Sequence, residues 1–139
     1  MRHRIGGRQF GLPSDQRRAL LKALVRSLFI SHKITTTDTR AKDVKIIAER
    51  LITQAKNRND LHGRRQANRY LTSETLVHHL YTVIAPEFKD VHGGYTRITH
   101  VGIRRGDAAK LVVLELATDA DLGSPVAPEK IGTAKSNSI

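Results

Sequence analysis

The chain has 139 residues, enough for one domain or one domain with a tail. It carries 24 Lys+Arg against 13 Asp+Glu, a net charge of +11: residues 1–69 hold 17 basic and 5 acidic side chains (+12), and residues 70–139 hold 7 and 8 (−1). With no cysteine there is no disulfide framework and no thiolate zinc site, which fits a reducing cytosol. The longest apolar run, Leu111–Leu114, is far short of a bilayer span. A basic half beside a near-neutral half points to a polyanionic partner, either nucleic acid or an anionic membrane.

Met1–Leu12 is charged, Gly-rich and without periodicity. It leads into no apolar h-region, so no targeting segment is expected. It reads as a flexible cationic arm: either a disordered terminus, the usual fate of chain ends, or an arm that orders only against phosphates. Ser14, after Pro13, is expected to cap a helix running to about Phe29, with Asp15 complementing the dipole. Leu20, Leu21, Leu24, Val25, Leu28 and Phe29 recur on one side of it. Arg18, Lys22 and Arg26 form a ladder at the stripe's edge with no interleaved acid, and Arg17 projects near the middle of the apolar arc. Like charges at i, i+4 cost roughly 0.2–0.5 kcal/mol per pair, so an unmixed ladder suggests an external anion.

Lys33–Thr37 is β-branched and short, a strand. Thr37 or Asp38 then caps a second helix with Ala41, Val44, Ala48, Leu51, Ile52 and Ala55 buried; Lys42, Lys45, Glu49 and Lys56 make a mixed flank. Asn57–Asp60 breaks the pattern. A short basic helix, His62–Leu71, places His62, Arg65 and Arg69 on one face and Ala67, Tyr70 and Leu71 on the other. Ser73 caps a further helix with the stripe Leu76, Val77, Leu80, Tyr81 and Ile84, expected to end at Pro86.

His92-Gly93-Gly94 is a turn, and Tyr95–Ile103 and Leu111–Ala117 are strands joined by the hairpin-length loop Arg104–Ala109. The nearly all-apolar Leu111–Leu116 suggests a strand covered on most of both faces. The order is α-β-α-α-α-β-β. The fold class expected is α+β: a single two-layer domain with helices packed on a small mixed sheet. The chain divides into a basic arm (1–12), a globular domain (13–117) and a tail (118–139) rich in Pro, Gly and Ser.

Several motifs tempt and fail. His78 and His79 point about 100° apart on a helix and lack a partner ligand at i+3 or i+4, so they read as two polar-face histidines rather than a metal site. Gly93-Gly94-Tyr95-Thr96 lacks the Gly-Lys-Ser/Thr ending of a phosphate loop. Arg105-Gly106-Asp107 spells an adhesion tripeptide but sits in a hairpin turn. No nucleophile and base stand together in a catalytic pattern, so no catalytic residue, metal or cofactor is expected. The basic content is different in kind: 15 Arg against 9 Lys favours the planar fork that grips phosphate. Aromatics are only 4%, which argues for gripping backbone and shape over stacking unpaired bases.

Six segments, in order, carry a resemblance. They are Met-Arg-His-Arg at 1–4, Asp-Gln-Arg-Arg-Ala-Leu-Leu at 15–21 and Leu-Ile-Thr-Gln-Ala-Lys at 51–56. Then come Leu-His-Gly-Arg-Arg-Gln-Ala at 61–67, Gly-Gly-Tyr-Thr-Arg-Ile at 93–98 and Arg-Arg-Gly-Asp-Ala-Ala at 104–109. Over residues 1 to about 117 the chain resembles the family of the seventeenth protein of the bacterial large ribosomal subunit. That resemblance implies a mixed α/β fold and a non-enzymatic structural component. It implies binding to large-subunit ribosomal RNA near the peptide tunnel exit, in the cytoplasm of a bacterium or a bacterial-type organelle. Neighbouring ribosomal proteins are implied as partners, with no membrane and no small-molecule substrate.

The RNA contacts implied by position are Arg2, His3, Arg4, Arg8, Arg17, Arg18, His62, Arg64, Arg65, Tyr95, Arg97, Arg104 and Arg105. Charge geometry adds Lys22, Arg26 and Arg69. Lys110 departs from the family's frequent Pro before the last strand, and the tail from Thr118 extends past the family's usual end. A free RNA chaperone or nucleoid protein, and a small nuclease, are the competing classes.

Overall fold

The computed structural model describes residues 7–118; the tail beyond them and the first half of the arm lie outside the described residues. α1 (Ser14–Ser31), β1 (Lys33–Thr37), α2 (Asp38–Asn57) and α3 (Leu61–Leu71) come first. α4 (Glu74–His79) then runs through a π-helical turn (Leu80–Ile84) into α5 (Ala85–Glu87), followed by β2 (Thr96–Ile103) and β3 (Lys110–Leu116). The expected order holds when α4, the π turn and α5 are read as one continuous helix.

That helix does not stop at Pro86. Ala85 N–H reaches back five residues to the Leu80 carbonyl. The wider turn suits a proline, which has no N–H to give and whose ring would crowd the carbonyl four residues earlier. Capping also departs from expectation at α1. Pro13 occupies the cap position, Ser14 is already helical, and no side chain closes the end. The helix runs two residues past Phe29 and ends on His32 in the left-handed region. Side-chain caps do form at Asp60, which accepts from Gly63 N–H at 2.7 Å, and at Ser73, which accepts from Leu76 N–H at 3.5 Å.

The sheet has strand order β1-β3-β2. The sequence suggests a mixed sheet; here both ladders are antiparallel. The 104–109 connection is too short for any other pairing of β2 with β3. A bulge between His100 and Gly102 shifts the β2 register.

The core lies between this sheet and the helices. Val25, Leu28 and Phe29 enter from α1, and the whole expected α2 stripe is buried. Leu71, Leu76, Leu80, Ile84 and Phe88 fill the middle. The β3 strand is covered on one face rather than two: Val112, Leu114 and Leu116 are buried, while Leu111, Val113 and Glu115 are half-exposed. Its outward apolar residues sit on the open face of the sheet, where β1 and β2 place Thr35, Thr37 and Thr99 beside them.

Candidate nucleic-acid interface

Two basic segments of the first half, the α1 ladder and α3, meet in space. Lys22 Nζ donates to the Arg69 carbonyl at 3.3 Å and lies 5.6 Å from the Tyr70 ring centroid. The ammonium thereby sits against the negative end of the α3 dipole. This joins the α1 ladder, in which Arg18 and Arg26 flank Lys22, to the end of α3 that carries Arg69, with Arg65 one turn earlier. All four arginines are exposed, and none has a carboxylate partner among the described residues. Arg17 is half-exposed, as its place on the apolar arc requires.

Other candidate contacts are held by the protein itself. His62 shares a 2.8 Å hydrogen bond with the Gln66 amide one turn on. Arg64 donates to Asn59 Oδ1 from Nε at 3.3 Å and Nη2 at 3.0 Å, with its guanidinium 5.2 Å from the Tyr81 ring centroid. Arg97 faces Glu115 across the ladder at 3.8 Å. Arg104 binds Asp107 through two bonds, 3.0 and 2.6 Å, and this guanidinium holds the Asp107 carboxyl well below the usual carboxylate range. Among the described residues, the turn therefore offers one guanidinium without a partner, Arg105, rather than two.

Tyr95 is 3% exposed, packed edge-on to Phe88, with its hydroxyl accepting from Lys56 Nζ at 3.3 Å. Its ring has no free face on which a base could stack. Arg8 pairs with the buried Asp43 carboxylate, which fixes the described end of the arm to α2. Arg2, His3 and Arg4 lie outside the described residues.

Gly63 is the position on which the start of α3 turns. A Cβ there would lie 2.6 Å from the Arg58 carbonyl oxygen, 2.9 Å from Asp60 Oδ1 and 3.0 Å from the Tyr81 hydroxyl. Alanine is the better helix former by about 1 kcal/mol, but backbone cannot yield cheaply to such an overlap. Gly63→Ala should lower unfolding free energy by about 1–3 kcal/mol. Urea denaturation with an unchanged m-value measures this; a midpoint equal to or above that of the parent would refute it.

His79 corrects the reading of two polar-face histidines. It is 6% exposed, and its Nε2 lies 3.0 Å from His32 Nε2, with the rings stacked at 5.3 Å. His78 alone faces solvent. Burial holds both imidazoles below their ordinary pKa of 6.5, and for His79 the charges of His32 and His78 add to that. A folded pKa below the unfolded one gives stability that is complete above the ordinary value and lost as pH falls through the folded value. Thermal melts should therefore drop between pH 7 and pH 5, and His79→Gln should flatten that dependence. A parent melt that does not move over this range would contradict the pairing.

Arg58, Lys89 and His92 are further exposed cationic or titratable groups, around the α2–α3 loop and the segment after α5, outside the set read from the sequence. Arg58 was legible only as part of a pattern-breaking loop. Lys89 lies in the near-neutral half, where no charge run marks it. Among the described residues no three metal-ligating side chains cluster, and no helix is long and apolar enough to cross a membrane.

A helical layer presenting uncompensated arginines, backed by a small antiparallel sheet, defines a basic α+β domain built to meet a polyanion. The family model described as Ribosomal protein L17 matches residues 20–117. The "Large ribosomal subunit protein bL17" of Thermoanaerobacter pseudethanolicus is 53% identical over 112 residues, covering 81% of this chain and 99% of the relative. The proteins of the same name from Desulforudis audaxviator and Clostridium botulinum are also 53% identical, over 112 and 111 residues, with 81% and 80% of this chain covered and 99% and 97% of the relative. The chain belongs to the ribosomal protein L17 family.

Proposed function

We propose that this protein is a structural component of the large ribosomal subunit that binds large-subunit ribosomal RNA through phosphate contacts. The observation that carries the reading is the joined α1–α3 surface. Arg18, Arg26, Arg65 and Arg69 stand there without carboxylate partners among the described residues, in a chain of the L17 family. Guanidinium groups free of internal partners are available to displace counterions from a polyanion. Arg105 adds a separate cationic point at the hairpin tip. The role is architectural rather than enzymatic, set on the cytoplasmic ribosome, near the peptide tunnel exit as the family resemblance implies. Neighbouring large-subunit proteins are the further partners. Residues 1–12 form a basic RNA-binding arm on the 13–117 body, its Arg8 end held to α2 by Asp43, and residues 118–139 form a tail.

Sedimentation tests the assignment. The tagged full chain should comigrate with large subunits after a high-salt wash. Release into the free fraction would support a loosely bound RNA chaperone or nucleoid protein instead.

A further inference from the structure

Asp43 is out of character with its helix. It lies on the buried side of α2 with Ala41, Val44 and Ala48, and at 9% exposure it is the one buried carboxylate among the described residues. A carboxylate taken out of water needs a charged or hydrogen-bonding partner. Both of its oxygens go to a single residue. Oδ1 accepts from Arg8 Nη1 at 2.5 Å, and Oδ2 accepts from the Arg8 backbone N–H at 3.4 Å. Asp43 therefore holds the backbone as well as a charge. In a half of the chain that carries +12, it also withdraws one guanidinium from any polyanion, so phosphate binding by bulk charge gives no reason for it.

The segment after Arg8 is built rather than loose. The Gln9 carbonyl accepts from Leu12 N–H at 3.1 Å, across a turn whose middle residues, Phe10 and Gly11, have φ of 55° and 65°. Glycine adopts the left-handed region freely, whereas Phe10 does so against its own Cβ. A residue persists there only where its surroundings hold it. On one side the turn runs into Pro13, whose carbonyl accepts from Arg17 N–H at 2.9 Å at the start of α1. On the other side it is held by Asp43. Phe10 also shares a cleft with Asp38 and Arg40 in the first turn of α2.

We infer that Asp43 is a positioning residue for RNA binding, and that Arg8 is its clamp rather than a phosphate contact. The pair fixes the root of the arm beside α2, so the cations before Gly7 start from one point on the body while the α1–α3 arginines hold the same RNA. A tether with a fixed root presents its charges at a higher effective concentration, and less chain must be ordered on binding. The inference rests on the RNA-binding reading and adds to it the device that aims the arm.

The test measures affinity of the full chain for large-subunit ribosomal RNA between 50 and 200 mM salt. Asp43→Asn releases Arg8 and adds one net positive charge. Bulk electrostatics then calls for tighter binding, whereas loss of positioning should weaken it by about 3–10-fold. Arg8→Ala should weaken binding to the same extent, with the salt slope unchanged because the same phosphates are met from a looser tether. The double variant should lose no more than either single one. In a chain carrying Arg2→Ala and Arg4→Ala, the cost of Asp43→Asn should shrink, since the clamp acts through the arm. Amide exchange at residues 8–12 should accelerate in both single variants while α2 stays protected, which shows that the body remains folded. Arg8→Ala, whose side chain is 45% exposed, carries the test if Asp43→Asn does not fold. Equal or tighter binding by Asp43→Asn, a slope lowered by about 1 in Arg8→Ala, or additive losses in the double variant would overturn the positioning role while leaving RNA binding in place. A parent chain that does not bind this RNA would overturn the functional reading itself.

Discussion

Raising salt from 50 to 200 mM should weaken binding to large-subunit ribosomal RNA by about 10³–10⁵-fold, the range for 6–10 phosphate contacts by analogy with duplex DNA. The structure says which cations contribute. Among the described residues, Arg18, Arg26, Arg65, Arg69 and Arg105 stand free of carboxylates, so each can release a counterion from the RNA. Arg65→Ala or Arg69→Ala should each reduce the slope of log affinity against log salt by about 1. The hairpin supplies the contrast. Arg104 is already neutralised by Asp107 through two hydrogen bonds. Deleting the pair together, Arg104→Ala with Asp107→Ala, removes no net charge and should leave the slope where it was. A nearly flat salt response in the parent would sink the electrostatic mechanism, and a slope change in the pair deletion as large as that for Arg65→Ala would show that internal pairing does not sort these arginines.

The distinction between free and paired arginines marks the limit of what the sequence disclosed. Composition located the positive charge in the first half, and periodicity found the apolar stripes, because both are local properties of the chain. The α2 stripe is legible residue by residue for that reason. Pairing is not local. Arg8 and Asp43, 35 residues apart, and His32 and His79, 47 apart, meet only because helices pack. The Arg104–Asp107 pair is close in sequence, but it needs the hairpin turn to bring the two groups into register. Tyr95 shows the opposite difficulty. The resemblance implies Tyr95 as an RNA contact, yet the ring is buried in the core, edge-on to Phe88 and with its hydroxyl accepting from Lys56. The apolar run in β3 overstated burial, since three strands cannot cover both faces of their own middle member. The joining of the α1 ladder to α3 through Lys22 and the Arg69 carbonyl is a tertiary fact without a sequence signature.

Phe88→Ala should lower the unfolding free energy by about 3–5 kcal/mol, a large share of the ~5–15 kcal/mol typical of a domain. The ring is 1% exposed at the end of α5, with its centroid 5.2 Å from that of Tyr95 in an edge-on arrangement. Its removal opens a cavity in the core and strips Tyr95 of its aromatic partner. The effect should not stay there. Tyr95 accepts from Lys56, whose ammonium also lies 5.1 Å from the Tyr95 ring centroid, so the ring is a middle link between α2 and the segment that turns into β2. Loosening that link frees residues 88–95, including Lys89 and His92. Amide exchange there should accelerate more than in α1, whose buried Val25 and Leu28 lie on another element. Lys89→Ala is the matched control: the neighbouring side chain is exposed, and its loss should change stability by no more than about 0.5 kcal/mol. Urea denaturation of the two variants decides the matter. A Phe88→Ala cost below about 1 kcal/mol, or exchange that rises equally in all helices, would show that the ring merely fills space and does not tie the second half of the chain to the basic half.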